Sequence, residues 1–188
     1  MKTNLSIVVL AALNLSGCGK AEKTVALEDQ KMQTISVERG EYLVKTIGCT
    51  DCHSPKVMTD HGPIPDKDRF LSGHPSDDIL PTYDPDAAQE YVLFSMGFTA
   101  AVGPWGTSFS ANLTPDPTGI GNWTQEQFLR ALKEGQWRGM EGTRKLLPPM
   151  PWENYRELTD DDLKSIYAYL MTIPPIENVV PNAIPPGM

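Results

Sequence analysis

Three stretches of the chain carry apolar residues at helical spacing. Val37, Gly40, Val44 and Ile47 recur at intervals of three, four and three and so share one helix face. Ser36 is a good N-cap, Glu38 sits in the favoured first turn and Gly48 is a stop, which predicts a helix from about Ser36 to Ile47. A second helix is predicted from Thr124, with Gln127 completing a capping box and Gly135 ending it; Phe128 and Leu132 face one way, and Arg130 and Lys133 lie near its C-terminal dipole. A third follows Thr159. Asp160, Asp161 and Asp162 fill its first turn as solvated, dipole-favourable charge, Leu163, Ile166, Tyr167 and Leu170 repeat the 3,4,3 spacing, and Pro174-Pro175 terminates it. Residues 54–122 show no dominant period, and Asp86 to Met96 fits a helix or a buried strand equally well. With 17 prolines in 188 residues, the chain is expected to be loop-rich with short helices.

The N-terminus has a different pattern. The apolar run Leu5 to Leu13 would reach only about 14 Å as a helix, half of a ~30 Å hydrocarbon core, which suits a secretory signal better than a membrane span. The following Leu15-Ser16-Gly17-Cys18 resembles the lipobox of bacterial lipoproteins. That resemblance implies cleavage before Cys18 and lipid on Cys18; the other reading is an ordinary secretory signal. Residues 18–35 are of mixed charge without periodicity and read as a tether of roughly 20–25 Å reach. The organisation expected is therefore a signal peptide (1–17), a lipid-anchored tether (18–35), a folded domain (36–176) and a Pro-rich C-terminal tail (177–188).

Charge and cysteine count narrow the function. The net charge is −8, and loss of Lys2 with the signal would leave 15 basic against 24 acidic residues, or −9. Nucleic-acid binding, which needs a basic surface to displace counterions, is excluded. Three cysteines, an odd number, do not make a disulfide framework.

Two of them open Cys49-Thr50-Asp51-Cys52-His53, the CxxCH pattern of covalent haem attachment. Two thiols on one turn can add to the two vinyl groups along a haem edge, and the next residue then places its imidazole beneath the ring. A redox dithiol would want a β-α-β setting, and no β-branched run surrounds the motif. A zinc site would want a second pair of ligands, and beyond Cys18 no further cysteines exist. The expected cofactor is one haem c per chain, held by Cys49 and Cys52 with His53 on the iron. In the loops, Asp116 to Gln127 brushes against a calcium-loop pattern but has Thr118, Ile120 and Gln127 where oxygen-rich ligands should be, and Gly119-Ile120-Gly121 is a turn and not a nucleotide loop.

On these motifs, residues 36–176 resemble a class I-like monohaem cytochrome c. The resemblance implies a mainly α fold: a small helical domain around the haem, here with a long loop-rich insertion. It also implies His53 as proximal ligand, a methionine opposite, and first and last helices that cross, with Gly40 against the Tyr167 region. For the distal ligand, Met150 stands out in Leu146-Leu147-Pro148-Pro149-Met150-Pro151-Trp152, where prolines hold the backbone at low entropic cost. That segment and the following LTDDDLKSIYAYL also resemble the distal-ligand region of cytochrome domains associated with bacterial periplasmic dehydrogenases, and Leu71 to Pro75, Gly103 to Gly106 and Asn112 to Asp116 resemble other segments of that group. Met96 and Met140 are alternatives, as are His61, His74 or no protein ligand; as residues of polar loops, both histidines are expected to be solvated.

A connection as long as 54–122 is usually functional or a lid. It is expected to cover the haem propionate edge, with Trp105 and Trp123 as packing or hydrogen-bond partners. The Pro65 carbonyl is expected to hold the proximal imidazole.

With both axial positions filled, the haem moves one electron at a time. The expectation is a membrane-tethered, periplasm-facing electron carrier. Its partners would be a dehydrogenase, a quinol-oxidising complex or a terminal acceptor, and the membrane through the lipid on Cys18. No catalytic residues of its own are expected. The alternative is an open-iron haem enzyme or sensor, peroxidase-like or gas-binding, should Met150 not be the sixth ligand.

Overall fold

The structure is a computed structural model that describes residues 35–187; Cys18 and most of the tether lie outside the described residues. In chain order the elements are α1 (Val37–Thr46), α2 (Cys49–His53), β1 (Lys56–Thr59), β2 (Gly62–Pro65), α3 (Ala87–Glu90), β3 (Leu93–Phe94), β4 (Ala100–Gly103), β5 (Gly106–Phe109), α4 (Gln125–Glu134), a 3-10 turn (Trp137–Gly139), α5 (Trp152–Tyr155) and α6 (Asp160–Leu170).

The long helices begin where their caps require. The Ser36 side chain accepts from the Arg39 N–H, Thr124 and Gln127 form both halves of a capping box, and Thr159 accepts from the Asp162 N–H. Helix α4 ends on Gly135 at φ 64°, the left-handed cap. Helix α6 stops at Leu170, short of the proline pair. The aspartate triplet is only partly solvated. Asp162 is buried and takes the Arg39 Nε–H at 2.9 Å, whereas Asp160 faces solvent and pairs with Lys133.

Helices α1 and α6 cross at Gly40. A Cβ there would lie 2.5 Å from the Ser165 carbonyl carbon and 2.8 Å from Tyr169 Cβ, so only hydrogen fits. The contact falls in the expected stretch of α6, on Ser165 and Tyr169, two residues to either side of Tyr167. Tyr167 instead packs its ring against Phe128, centroids 5.5 Å apart, and donates its hydroxyl to the Trp123 carbonyl. Leu43 and Val44 from α1, Phe128 from α4, and Leu163, Ile166 and Leu170 from α6 form the core with Leu71 and Ile120 from the loops. Burying each such aliphatic side chain contributes about 1.5–3 kcal/mol.

The expectation of a mainly α domain holds for the two helical flanks but not for the insertion. Residues 54–122 contain a β1–β2 hairpin (Lys56 opposite Pro65) and an antiparallel meander ordered β3-β4-β5, with Ala100 opposite Phe109. The fold is therefore of mixed content. Asp86 to Met96 is neither one helix nor a buried strand: it holds the four-residue helix α3 followed by β3, a two-residue edge strand with Phe94 exposed. The Pro-rich tail runs along the insertion: Ile184 exchanges both backbone hydrogen bonds with Thr107, and Asn178 Nδ2 donates to the carbonyls of Ser72 and His74 at 2.7 and 2.8 Å.

Candidate haem site

Cys49, Cys52 and His53 lie on one short helix, α2, that begins at Gly48 in the left-handed conformation (φ 85°), a turn a side chain would strain. The three-residue spacing puts both thiols on the same side of that helix. Both are free and half-buried, and Cys49 packs against the core. Burial pushes the Cys49 thiol up to about 12, and raises Cys52 for the same reason. These are thus neutral thiols, unlike the lowered-pKa cysteine of a redox dithiol. Lys56 bends back to donate to the carbonyls of Thr50, Asp51 and Ser54, capping the C-terminal end of the helix with its charge. Tyr155 anchors the other end by donating to the Ile47 carbonyl at 2.8 Å.

His53 is buried, and its Nδ1–H donates to the carbonyl of Ala111 at 2.7 Å. Burial lowers its pKa and the Ala111 carbonyl only partly opposes this, so the ring is neutral. A neutral imidazole with Nδ1 occupied has one free lone pair, on Nε2, which is the form that ligates a metal. The carbonyl is not that of Pro65, as expected from the sequence. Pro65 pairs with Lys56 in the β1–β2 hairpin, and the Ala111 carbonyl comes instead from the far end of the insertion.

What brings Ala111 there is a stack of three chain segments. The Gly73 N–H donates to the His53 carbonyl (2.8 Å), the His74 N–H to the Ser110 carbonyl (2.9 Å), and the Leu113 N–H to the Leu71 carbonyl (2.8 Å). Ser54 Oγ accepts from the Leu71 N–H, holding Leu71 at φ 59°. Gly73, at φ 80°, is clasped so closely that a Cβ would sit 2.5 Å from the Ser110 carbonyl oxygen. The insertion thus builds the wall behind His53.

His74 is fully buried inside this stack, not solvated. Its Nδ1 meets Thr99 Oγ1 at 2.9 Å, its ring lies 4.8 Å from Phe109, and Nε2 has no hydrogen-bond partner among the described residues. His61 is exposed. Trp105 folds over Gly103 and points its Nε1–H at Ser108 Oγ, and Trp123 packs on the core.

Met150 is half-buried in a segment fixed at several points. The Leu146 N–H donates to the Gly135 carbonyl, Ser108 Oγ–H to the Pro148 carbonyl at 2.6 Å, and Trp152 packs its ring on Gly135. The other described methionines differ: Met58 and Met96 are 66% and 77% exposed, Met140 is exposed, and Met171 packs against the core. Ala111, Lys56 and Ser108 are the contributors that sequence reasoning missed. All three act on or through backbone carbonyls, which carry no side-chain signature.

Two neutral thiols on one turn, with an imidazole beside them oriented through Nδ1, fit a covalently attached haem. The comparisons agree. The cytochrome c family model matches residues 37–174. The chain is 43% identical over 149 residues to the fructose dehydrogenase cytochrome subunit of Gluconobacter japonicus, covering 78% of this chain and 23% of that protein. It is 31% identical over 147 residues to the gluconate 2-dehydrogenase cytochrome c subunit of Pantoea cypripedii, covering 78% and 25%. It is also 30% identical over 136 residues to the cytochrome c subunit of the quinone-dependent alcohol dehydrogenase of Gluconobacter oxydans, covering 72% and 21%. The chain spans a quarter or less of the length of these relatives. With its CxxCH helix, its carbonyl-held histidine and a family match that runs from α1 to just beyond α6, the chain belongs to the cytochrome c family, whose cofactor is covalently bound haem c.

Proposed function

We propose that this chain is the electron-transfer partner of a bacterial dehydrogenase, holding one haem c through Cys49 and Cys52 with His53 and Met150 as axial ligands. Haem c so ligated supplies a one-electron Fe(III)/Fe(II) couple whose potential a thioether raises. The protein's part is placement. α2 presents both sulfurs on one face, and Ala111 fixes the His53 tautomer so that Nε2 faces away from the wall. The proline segment, pinned by Ser108 and Gly135, holds the Met150 thioether in a half-buried position. The observation that carries the reading is the 2.7 Å bond from His53 Nδ1 to the Ala111 carbonyl, because it commits this histidine to ligation through one nitrogen.

The relatives named as cytochrome subunits of fructose and gluconate 2-dehydrogenases support a dehydrogenase as electron donor, with a quinol-oxidising complex as the other candidate and a downstream acceptor receiving the electrons. No described helix is long and apolar enough to cross a membrane. The proposed attachment is lipid on Cys18 after removal of residues 1–17, with 18–35 as the tether, 36–176 as the haem domain facing the periplasm and 177–188 as a tail. The test is optical absorption of the ferric holoprotein and its Met150→Ala variant. A weak long-wavelength sulfur–iron band present in the first and lost in the second is expected. A high-spin spectrum in the unmodified protein that shifts on adding carbon monoxide after reduction would mean open iron and an enzyme or sensor instead.

A further inference from the structure

One surface of the insertion is both apolar and acidic. Residues 76–98 are largely exposed, and Ile79, Tyr91 and Met96 project at 90%, 67% and 77% exposure. A shallow apolar groove brings Leu80, Pro81 and Tyr83 against Leu93 and Phe94 of edge strand β3 and Val102 of β4. Ile79 and Met96 adjoin its lining residues Leu80 and Ser95 in the chain, with Tyr91 two residues before Leu93. Aromatic and methionine side chains concentrated in this way, rimmed by polar groups, are the composition of an interface core. The rim is of one sign: Asp77, Asp78, Asp84, Asp86 and Glu90 are all exposed, and no lysine or arginine occurs between Arg69 and Arg130.

We infer that this patch is the docking surface for the electron-donating dehydrogenase polypeptide, which would meet it with an apolar face rimmed by lysine and arginine. The inference rests on the electron-transfer reading above and adds the surface through which it works. Charge selects this occupant over two others. An anionic bilayer surface repels an acidic rim. A second copy docked symmetrically would set the same five carboxylates against themselves. The patch is also continuous with the haem wall. β3 pairs with β4 and β4 with β5, and β5 carries Ser108, which grips the Met150 segment, and leads to Ala111, which holds His53.

The test is photocrosslinking of full-length holoprotein in membranes of the source bacterium, with benzoylphenylalanine replacing Ile79 or Met96, and Met58 on the β1–β2 hairpin as control. The expected result is a crosslink from positions 79 and 96, and not from 58, to a polypeptide that mass spectrometry identifies as a dehydrogenase. Its yield should fall about fivefold or more when about 0.5 M salt screens the rim. Crosslinks to a second copy, to lipid, to residues of the same chain or to a protein without dehydrogenase sequence would overturn the inference, as would equal yield from all three positions or none from 79 and 96. Reduction of the same preparations by ascorbate separates the two proposals. If the haem reduces but the crosslinks fail, the surface is wrong and the carrier reading stands; if the haem does not cycle, the carrier reading itself is wrong.

Discussion

Replacing Gly40 with alanine tests the crossing of the first and last long helices. The added Cβ would sit 2.8 Å from Tyr169 Cβ and 2.5 Å from the Ser165 carbonyl carbon, with the carbonyl oxygen closer still. Real Cβ atoms do not approach backbone so closely, and Ser165 cannot yield as a flexible side chain would, so α1 must move off α6 by about 1 Å. Overpacking of this kind costs typically 1–3 kcal/mol, and the upper end applies because the obstacle is backbone in the middle of a helix. Alanine recovers up to about 1 kcal/mol of helix propensity. The net expectation is a loss of about 2 kcal/mol, or roughly 4–8 °C in melting temperature for a domain of this size. The assay is guanidinium unfolding of the holoprotein followed by far-ultraviolet circular dichroism and haem absorption together. Gly97→Ala is the control, because a Cβ there meets only Thr99 Oγ1 at 3.6 Å; it should stay within about 0.5 kcal/mol of wild type. Equal stability of Gly40→Ala and wild type would refute the packing argument.

Other substitutions probe the wall and its ties. Ser108→Ala removes the 2.6 Å bond to the Pro148 carbonyl; the sulfur–iron band of the ferric protein should bleach several degrees lower on heating while global unfolding shifts by only about 1 kcal/mol. Asn178→Ala releases three bonds that tie the tail to Ser72, His74 and Ser76, and should cost about 1–3 kcal/mol and speed proteolytic nicking of the insertion; unchanged nicking would show that the tail is not a strap. Burial holds His74 below its ordinary value near 6.5, against an opposing pull from Asp78, with neutral Thr99 and Phe109 its other neighbours. The unfolded chain therefore takes up that proton first. The stability the neutral ring contributes is complete above about pH 6.5 and is lost as pH falls through the depressed folded value. Guanidinium midpoints measured from pH 7.5 down to about 5 should fall more steeply in wild type than in His74→Gln, and parallel slopes would contradict this.

The helical flanks are legible in the sequence because their signals are local. Ser36, Thr124 with Gln127, Gly135 and Thr159 each act within one turn, and each caps the helix its sequence position predicts. The haem-attachment motif is likewise contained in five consecutive residues. The insertion is not legible because its structure comes from pairing at a distance. His74 reads as a loop residue beside Asp77 and Asp78, yet Phe109 and Thr99, brought over by the β4–β5 hairpin, bury it. The partner of His53 cannot be read from side chains at all, since any residue offers a carbonyl. Pro65 is near in sequence but engaged in a hairpin, and Ala111 is 58 residues away. Asp162 reads as a solvated charge for the same reason, its partner Arg39 lying on the opposite helix.

The central claim, a single His53/Met150 haem that carries one electron, is tested most directly by potentiometric titration of the purified holoprotein, followed at the haem bands with haem and protein quantified in the same sample. The account expects one haem per chain, a single one-electron Nernst curve and a ferrous spectrum indifferent to carbon monoxide. A second wave, more than one haem per chain, or a ferrous form that binds carbon monoxide readily would contradict it.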